Sequence, residues 1–334
     1  FDKYFQIAPC FRDEDARADR SPGEFYQLDF EMSFATQEDV FRVGEEVLTA
    51  TFEKFAPEGS VVTAAPYPVI SYKQAMLEFG SDKPDLRNPL RIVDVTDFFQ
   101  RCTFKPFHGQ TVRAIKVSNK MSKGFHEKLL KFATSIGMGG LGYLEVKEDL
   151  SYKGPIDKFI PDDMKAEIRE IAGLKAGDTI FFIADKEKQA ALYAGQLRNE
   201  LGQRLDLLEK NAYRFCFIND FPMYEYDEEQ KKIIFTHNPF SMPQGGLEAL
   251  TTKDPLELLA YQYDIVCNGV ELSSGAVRNH NLDIMVKAFE IAGYTEEDLK
   301  EKFGALYNAF QYGAPPHAGM APGVDRMIML LRNE

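Results

Sequence analysis

Near its start the chain reads Phe5-Gln-Ile-Ala-Pro-Cys-Phe-Arg-Asp-Glu-Asp15 and, after a polar connection, Glu24-Phe-Tyr-Gln-Leu-Asp-Phe-Glu-Met32. In both stretches apolar residues alternate with polar or small ones, which is the period of a strand whose two faces meet different surroundings. The two stretches therefore predict an antiparallel pair of strands with one apolar face. This pair is the element around which we expect the rest of the fold to be organised.

The opposite face of the predicted pair would collect Arg12, Gln27, Asp29 and Glu31. Charges of both signs beside a hydrogen-bonding amide make an unlikely core, and they suit the floor of a site for a charged ligand. The connection between the strands, residues 13–23, is much longer than a tight hairpin needs. Long loops inside compact domains are usually functional or disordered, and the composition of this one fits either a solvated loop or a functional one.

Composition limits the class of protein. The chain has 334 residues, enough for two packed domains or for one large domain with an insertion. Its apolar runs are all shorter than the ~20 residues that a membrane span requires, and no signal peptide is visible. The net charge of −13 argues against a generic nucleic-acid binder, although a local basic surface is still compatible with it.

The cysteines and the first residue give two further expectations. The four cysteines are widely spaced and form no CxxC pair, a pattern that suits a reducing cytoplasm and predicts neither a zinc site nor a disulfide framework. The chain begins at Phe1, within a strand pattern, and we expect it to be a fragment of a longer protein.

The sequence pattern changes twice, and we predict domains 1–102, 103–210 and 211–334. The middle part alternates extended runs with helical ones, which predicts a small inserted α/β domain. Its helices are expected at Ser122–Ile136, Asp163–Ala172 and Lys186–Arg204. The glycines of residues 137–142 follow a helix and precede a strand, whereas a phosphate-binding loop opens into a helix. A turn is therefore the better prediction for them.

A second group of polar residues surrounds Asn268-Gly269, a strong hairpin signal between two apolar runs. With this pair as the loop, Asp264 and Glu271 share one face as diagonal neighbours, about 7 to 8 Å apart at the backbone. Two carboxylates so placed either bind a cation, for which oxygen ligands favour Mg²⁺, or are independent surface acids. Strict alternation would put Arg278 on the opposite face, unless a bulge at Gly275 or the end of the strand corrects it.

Two more features complete the candidate site. Gly319 and Gly323 precede an apolar helix whose first turn holds Asp325 and Arg326, an arrangement that suits polyphosphate although it is not a P-loop. His237 ends a predicted strand before a proline loop. A lone histidine is usually a structural hydrogen bonder, but this position also suits contact with a ligand.

These groups, in this order, resemble the catalytic domain of the class II aminoacyl-tRNA synthetases. The stretch Phe11-Arg-Asp-Glu14 with its long loop resembles motif 2, and Gly319 to Arg326 with its helix resembles motif 3. Within the class, the chain is similar to the bacterial-type aspartyl-tRNA synthetases. The stretches that carry this similarity are Phe11-Arg-Asp-Glu-Asp15, Gly80-Ser-Asp-Lys-Pro-Asp-Leu-Arg87, His237-Asn-Pro-Phe240 and Gly313-Ala-Pro-Pro-His-Ala-Gly319.

The resemblance implies an α+β fold, in which an antiparallel sheet flanked by helices carries an inserted small α/β domain. It also implies ATP-dependent conversion of L-aspartate to aspartyl-adenylate, followed by transfer to tRNA(Asp), with tRNA(Asn) as a further acceptor left open. Mg²⁺ would accompany ATP, and the full-length protein would be a cytoplasmic homodimer. The anticodon-binding domain, motif 1 and the loop that closes over aspartate are expected upstream of Phe1, so catalysis is expected of the full-length protein.

The resemblance also implies roles for individual residues. Arg12 would hold the α-phosphate and the reacting carboxylate, Arg326 would hold the γ-phosphate, and these two are the catalytic residues. The residues implied to bind ATP are Arg12, Asp13, Glu14, Glu271, Gly323, Val324, Asp325 and Arg326. Those implied to bind aspartate are Arg12, Gln27, Asp29, His237 and Arg278, with Arg278 gripping the side-chain carboxylate. Asp264 and Glu271 would hold the metal.

Two alternatives stay open. The first is a related class II ligase for asparagine or lysine, and the second is a non-catalytic, synthetase-like binding module. Aspartate-dependent exchange of pyrophosphate into ATP separates the enzymes from each other, and binding of ATP with Mg²⁺ tests the module.

Overall fold

A computed structural model describes residues 1–12, 23–118 and 121–333. The strands, in chain order, are β1 (Lys3–Phe11), β2 (Glu24–Ser33), β3 (Val61–Val62), β4 (Val69–Ser71), β5 (Ile92–Asp94), β6 (Thr111–Val117), β7 (Gly142–Val146), β8 (Tyr152–Lys153), β9 (Thr179–Asp185), β10 (Ala212–Tyr213), β11 (Phe215–Asn219), β12 (Phe221–Pro222), β13 (Tyr224–Asp227), β14 (Lys232–Phe235), β15 (Leu259–Ala260), β16 (Gln262–Cys267), β17 (Val270–Val277) and β18 (His317–Met320). The helices are α1 (Gln37–Phe55), α2 (Tyr72–Phe79), α3 (Thr96–Arg101), α4 (Lys123–Ser135), α5 (Lys165–Ala172), α6 (Glu187–Arg204), α7 (Gly246–Thr252), α8 (Leu282–Ile291), α9 (Glu296–Phe310) and α10 (Val324–Arg332).

The chain divides into two compact units. The first unit joins Phe1–Lys73 to Asn211–Glu334, and the second unit is Gln74–Lys210. The sequence-based division began the inserted domain at residue 103, whereas β5 pairs with β6 and therefore belongs to the second unit. The division of the chain into two catalytic parts and an inserted domain stays a prediction. Within the described ranges, no helix is long and apolar enough to cross a membrane.

The first unit is built on a seven-stranded sheet with the order β1-β2-β18-β17-β16-β11-β4. Neighbouring strands run antiparallel, except that β11 and β4 are parallel. The predicted α+β class and the predicted pairing of the first two stretches are confirmed. Because β2 lies beside β18, the sheet brings the N-terminal strands next to the C-terminal ones.

Helix α1 covers one face of this sheet. It begins with a capping box in which the side chains and backbone N–H groups of Thr36 and Asp39 bond reciprocally, as their spacing indicates. Phe41 stacks on Phe217 with ring centroids 3.8 Å apart and meets Tyr263 edge-on at 5.1 Å. Burial of each such side chain contributes about 1.5 to 3 kcal/mol, so α1 fixes which face of the sheet is core. The candidate site lies on the opposite face.

The apolar face of β1 differs from the prediction. Phe5, Ile7 and Phe11 are 71%, 63% and 72% exposed, whereas Phe30 and Met32 of β2 are buried. The core beneath α1 includes residues of β2, β11, β16 and β18. Because β1 is the edge strand of the sheet, its apolar side chains lie outside that core.

The second unit has a five-stranded antiparallel sheet with the order β5-β6-β9-β7-β8. Helices α3 and α5 pack on one face of this sheet, and α4 and α6 pack on the other. Fully buried residues hold α4 and α6 in place, among them Leu129, Ala133, Ala194 and Leu197. The second unit is thus a layered arrangement with its own core.

Candidate active site

A row of directly opposed residues crosses five strands of the large sheet. Tyr4 in β1 opposes Glu31 in β2, which opposes Gly319 in β18. Gly319 opposes Ala276 in β17, and Ala276 opposes Gln262 in β16. Residues directly opposite each other in a sheet point to the same face, so this row defines one polar face that runs from β1 to β16. The other candidate site residues of these strands can be placed relative to it.

The β1–β2 end of this face is a hydrogen-bonded floor. Gln6 Nε2 donates to Asp29 Oδ2 at 2.9 Å, and Gln27 Nε2 donates to the carbonyl oxygen of Ala321 at 3.4 Å. Arg12 directly follows β1, with its guanidinium 5.1 Å from the centroid of the Phe25 ring. The register places Gln27, Asp29 and Glu31 on this face, as the alternation of the sequence predicts. Asp13 and Glu14 lie outside the described residues.

One thiol belongs to the same floor. Cys10 Sγ is 3.3 Å from Gln27 Oε1, and Cys10 is partly exposed. The other three cysteines are buried and, like Cys10, form no disulfide. Burial raises the pKa of Cys216 to about 12 and that of Cys102 to about 11.

Arg278 lies just after β17 and reaches across β18 to Glu31 in β2. Its Nε and Nη2 atoms donate to the same oxygen, Glu31 Oε1, at 3.1 and 2.6 Å. The two side chains are only 21% and 19% exposed. The other oxygen, Glu31 Oε2, is buried, and no described residue gives it a hydrogen bond. The pair therefore fixes the guanidinium on the polar face and leaves one carboxylate oxygen able to accept a donor.

Gly319 makes room for this ion pair. A Cβ atom at Gly319 would lie 2.5 Å from Glu31 Cδ and 2.2 Å from the carbonyl oxygen of Phe30. Any side chain at this position would displace Glu31. The charges at this end of the row also act on Tyr4. Burial and the negative charges of Asp29 and Glu31 raise the pKa of Tyr4, whereas the positive charge of Arg278 lowers it.

A β-bulge brings Arg278 onto the polar face. Val266 opposes Glu271, as the Asn268-Gly269 hairpin predicts, but Ile265 opposes Ser273, so Leu272 is the extra residue. A bulge at Gly275, three residues further on, is the position considered from the sequence, and that position is wrong. The bulge follows from burial, because it turns Leu272 into the core at 1% exposure. After it, alternation puts Ser274, Ala276 and Arg278 on one face.

The bulge also brings Asp264 and Glu271 to one hydroxyl group. Ser274 Oγ lies 2.6 Å from Asp264 Oδ1 and 3.2 Å from Glu271 Oε1. Three or more potential metal ligands do not cluster anywhere in the described part of the chain. Two carboxylates nevertheless fit Mg²⁺ that is shared with phosphate groups, because Mg²⁺ is usually held by one or two carboxylates together with substrate oxygens. The donor set therefore suits a metal that arrives with a polyphosphate, and it does not form an all-protein cage.

Helix α10 brings Arg326 to Glu271, one of these two acids. The Nη1 atom of Arg326 donates to the carbonyl oxygen of Glu271 at 2.6 Å and lies 3.8 Å from Glu271 Oε1. The N-cap residue of the helix, Gly323, donates its N–H to the carbonyl oxygen of Leu272 at 2.8 Å and forms a bridge with Gln27. The start of α10 is therefore fixed to both β17 and β2.

The next two residues of α10 have structural contacts. Asp325 Oδ2 accepts the backbone N–H of Tyr26 at 2.8 Å, and Val324 packs partly buried against the core beneath α1. Both side chains hold the helix against the sheet. They would therefore shape a phosphate pocket through the position of the backbone around Gly323. Arg326 itself lies against Glu271, and the phosphate contact expected of it stays a prediction.

His237 follows β14 by two residues, in a loop that is anchored beside Arg278. The loop residue Ser241 forms a bridge with Arg278, and the N–H of Asn279 donates to the carbonyl oxygen of Phe240 at 2.7 Å. The His237 ring meets Phe221 edge-on with centroids 4.9 Å apart. The position at the end of a strand is as predicted.

A family model described as "tRNA synthetases class II (D, K and N)" matches residues 1–334. The chain belongs to this family. The resemblance that the sequence motifs indicate is thereby confirmed at the level of the class II synthetases, and the polar face is where their motif-like stretches meet.

Three relatives of this synthetase chain carry the same name. The chain is 59% identical over 341 residues to "Aspartate--tRNA(Asp/Asn) ligase" of Gluconobacter oxydans (strain 621H), and the match covers 100% of the chain and 57% of the relative. The protein of the same name from Zymomonas mobilis subsp. mobilis is 58% identical, again over 100% of the chain and 57% of its own length. That of Ehrlichia canis is 57% identical, over 99% and 57%. The chain thus spans little more than half the length of these relatives.

Solved structures of synthetases also align with the chain. "Aspartyl tRNA synthetase from Entamoeba histolytica" aligns over 99% of this chain and 45% of its own, with 15% identity and a TM-score of 0.45. An asparaginyl-tRNA synthetase from Pyrococcus horikoshii, complexed with asparaginyl-adenylate, aligns over 99% and 49%, with 15% identity and a TM-score of 0.41.

Two contacts of this synthetase site were not predicted. The pairing of Glu31 with Arg278 needs strands that are far apart in sequence, and only the adjacency of β2 and β18 reveals it. Strict alternation from Glu271, which puts Arg278 on the opposite face, does the same to Ser274, because it takes no account of the bulge. The clue available in the sequence was Leu272, whose apolar side chain fits a core position better than a polar face.

Proposed function

We propose that the full-length protein containing this chain activates L-aspartate with ATP and transfers it to tRNA(Asp), and also to tRNA(Asn). In the first step an oxygen of the aspartate α-carboxylate attacks the α-phosphorus, the bond to the bridging oxygen breaks, and pyrophosphate leaves with that electron pair. In the second step a terminal hydroxyl of tRNA displaces AMP. The observation that carries the proposal is the partly buried Arg278–Glu31 pair on the polar face. The name shared by relatives that are 57% to 59% identical supports it.

In the proposed site, the amino acid is selected by the charge of its side chain. Arg278 would bind the side-chain carboxylate of aspartate, because a planar guanidinium can donate two parallel hydrogen bonds to it. Asparagine presents a donor in place of one of those oxygens, so a fixed arginine discriminates against it. Asp29, with Gln27 and His237, would orient the rest of the amino acid. The buried Oε2 of Glu31 is a further acceptor for a donor of the substrate.

The nucleotide side uses the other two arginines. Arg12 would hold the α-phosphate together with the reacting carboxylate, where negative charge develops in the transition state. Arg326 would hold the γ-phosphate, and Gly323, Val324 and Asp325 would form the backbone around it. Asp13 and Glu14 are proposed to contact the nucleotide as well, with Glu14 facing adenine and the acceptor end of tRNA.

Asp264 and Glu271 are the residues proposed to hold Mg²⁺ with ATP. When bound, the metal would neutralise phosphate charge and orient the leaving pyrophosphate. Ser274 Oγ is within hydrogen-bonding distance of both acids, which keeps their carboxylates close together. We further propose a cytoplasmic location, which unpaired cysteines fit. A homodimer of the full-length protein stays a prediction from the family resemblance.

The test is aspartate-dependent exchange of pyrophosphate into ATP by the full-length protein, followed by aminoacylation of tRNA(Asp) and tRNA(Asn) transcripts. We expect exchange with aspartate and none with asparagine or lysine. The Arg278→Leu variant should lose aspartate activation and still bind ATP with Mg²⁺ in calorimetry. Exchange that depends on asparagine or lysine instead, or an unimpaired Arg278→Leu variant, would contradict the proposed specificity.

A further inference from the structure

The second unit carries a basic stretch in an otherwise acidic chain. The whole chain has 39 lysine and arginine residues against 52 aspartate and glutamate residues. Between residues 111 and 135 this balance is reversed, because Glu127 is the one acid in that stretch of sequence. The basic residues there are Arg113, Lys116, Lys120, Lys123, Lys128 and Lys131. The last three belong to α4.

Two turns of α4 line an open cleft of about 740 Å³. The side chains around the cleft combine positive charge with aromatic surface, and α6 contributes the last of them. They are Phe125, Lys128, Lys131, Phe132, Ser135 and Arg204. None of these residues has a role in the site on the large sheet, which is built from the first unit.

The lysines of the cleft differ from the other cations nearby. Within the described ranges no carboxylate is paired with Lys128 or Lys131, and both are exposed. By contrast, Lys123 lies 3.9 Å from Glu127, and Arg204 is paired with Glu200 at 2.5 Å. Residues three apart on a helix are neighbours, with Cβ atoms about 5 to 6 Å apart. Lys128 and Lys131 therefore present two adjacent positive charges that α4 does not neutralise.

The cleft is also held rigidly. Leu129 and Ala133, on the inner face of α4, are completely buried against the sheet. Phe125 and Phe132 are partly buried against the same core, and both also line the cleft. A cation on a packed helix loses less freedom on binding than one on a loop. The arrangement thus places exposed lysines on a packed helix, beside partly buried aromatic rings.

We propose that this cleft binds the phosphate backbone of RNA. Adjacent unneutralised lysines suit a polyanion, because each phosphate contact releases condensed counterions. The open shape of the cleft suits a chain that passes through it better than a single small anion. The inference rests on the proposed function, which makes tRNA the RNA that the protein meets. The second unit then acts as a second, sequence-independent contact for tRNA, separate from the site of chemistry.

The test uses the full-length protein and a tRNA(Asp) transcript, with affinity measured by fluorescence anisotropy over a series of salt concentrations. The Lys128→Gln/Lys131→Gln variant should bind about tenfold more weakly at low salt. The slope of log K against log salt should become shallower by roughly one to two units, since two phosphate contacts are lost. The matched control is Lys123→Gln, which removes a charge from the same helix outside the cleft and should leave both quantities unchanged.

Exchange of pyrophosphate into ATP distinguishes this inference from the proposed function. The double variant should keep the exchange rate of the wild type, because its changes are remote in sequence and function from the large sheet. If the wild type shows no aspartate-dependent exchange, the proposed function fails while the binding comparison can still be read. Unchanged tRNA affinity and slope in the double variant overturns the inference, as does an equal loss in the Lys123→Gln control. If the double variant loses binding of inorganic tripolyphosphate but keeps its affinity for tRNA, the cleft is a small-anion site, and that result overturns the inference too.

Discussion

Arg278 and Glu31 form an ion pair across a strand that contributes no charge to it. The guanidinium lies just after β17 and the carboxylate lies in β2, with Gly319 of β18 between them. Because both Nε and Nη2 donate to one oxygen, the plane of the guanidinium is fixed before any ligand is present. A pre-organised arginine loses little freedom when it binds a carboxylate.

The Glu31→Gln variant tests this pre-organisation. A neutral amide cannot replace the charge-assisted bonds, which contribute about 1.5 to 3 kcal/mol, so we expect the KM for aspartate to rise about tenfold or more. The KM for ATP should change little. Pyrophosphate exchange by the full-length protein measures both. Glu24→Gln is the control, because Glu24 is an exposed carboxylate at the other end of the same strand; an equal effect there, or an unchanged KM for aspartate, would show that Glu31 does not position Arg278.

The Ser274→Ala variant tests the proposed metal ligands. The hydroxyl lies 2.6 Å from Asp264 and 3.2 Å from Glu271, so its loss frees both carboxylates to reorient. Groups that orient metal ligands typically contribute 10- to 100-fold in affinity, and we expect about tenfold more Mg²⁺ to be needed for half-maximal exchange. Ser151→Ala is a matched control, because Ser151 Oγ makes the same 2.6 Å contact with Asp149 in the second unit. Equal Mg²⁺ requirements in the two variants would argue against the metal site.

The Gly275→Ala variant tests the packing beneath the polar face. A Cβ atom there would lie 2.4 Å from Tyr263 Cε2 and 2.5 Å from the carbonyl oxygen of Gly319. Overpacking of this kind costs roughly 1 to 3 kcal/mol, so thermal unfolding should shift down by several degrees. Gly304→Ala is the control, because no other atom lies within 4 Å of its added Cβ. If the two variants melt at the same temperature, Gly275 is not closely packed between Tyr263 and Gly319 of β18.

The capping box of α9 predicts a dependence of stability on pH. The backbone N–H of Thr295, and then its hydroxyl, lower the pKa of Asp298 below its ordinary value of 3.8. A carboxylate whose pKa is lower in the folded state stabilises the protein above the unfolded pKa, and that stability is lost as pH falls through the folded pKa. Asp298→Asn should therefore lower the unfolding midpoint at pH 6, and the difference from wild type should shrink below about pH 4. Glu297→Gln is the control, because it removes a carboxylate of the same helical turn that takes no part in the capping box. An equal loss of stability at pH 6 in this variant would contradict the role of the box.

Local patterns predicted the elements of the fold well. Alternation identified β1 and β2, and the Asn268-Gly269 pair identified the β16–β17 hairpin with its register at the turn. The Thr-x-x-Asp spacings at Thr36 and Thr295 are likewise those of the capping boxes that begin α1 and α9. Each of these signals acts over a few residues, through side-chain periodicity or a backbone bond to a nearby N–H. They needed no knowledge of which strands are neighbours.

The sequence did not predict features that depend on the order of strands in the sheet. The exposure of Phe5 and Ile7 follows from the edge position of β1, and the pairing of Glu31 with Arg278 follows from β18 lying between β2 and β17. The bulge at Leu272 depends on how α1 and α10 fill the core beneath it. Such features are set by packing between distant segments, which alternation along one strand does not encode.

The unequal accessibility of the thiols has a practical consequence. Cys10 is partly exposed and lies against Gln27, whereas the other three thiols of the chain are buried. A maleimide dye added to this chain near neutral pH should therefore attach at Cys10 alone, because only an accessible thiolate reacts. Its emission would then report on the ligand binding proposed for this face of the sheet, without any engineered cysteine.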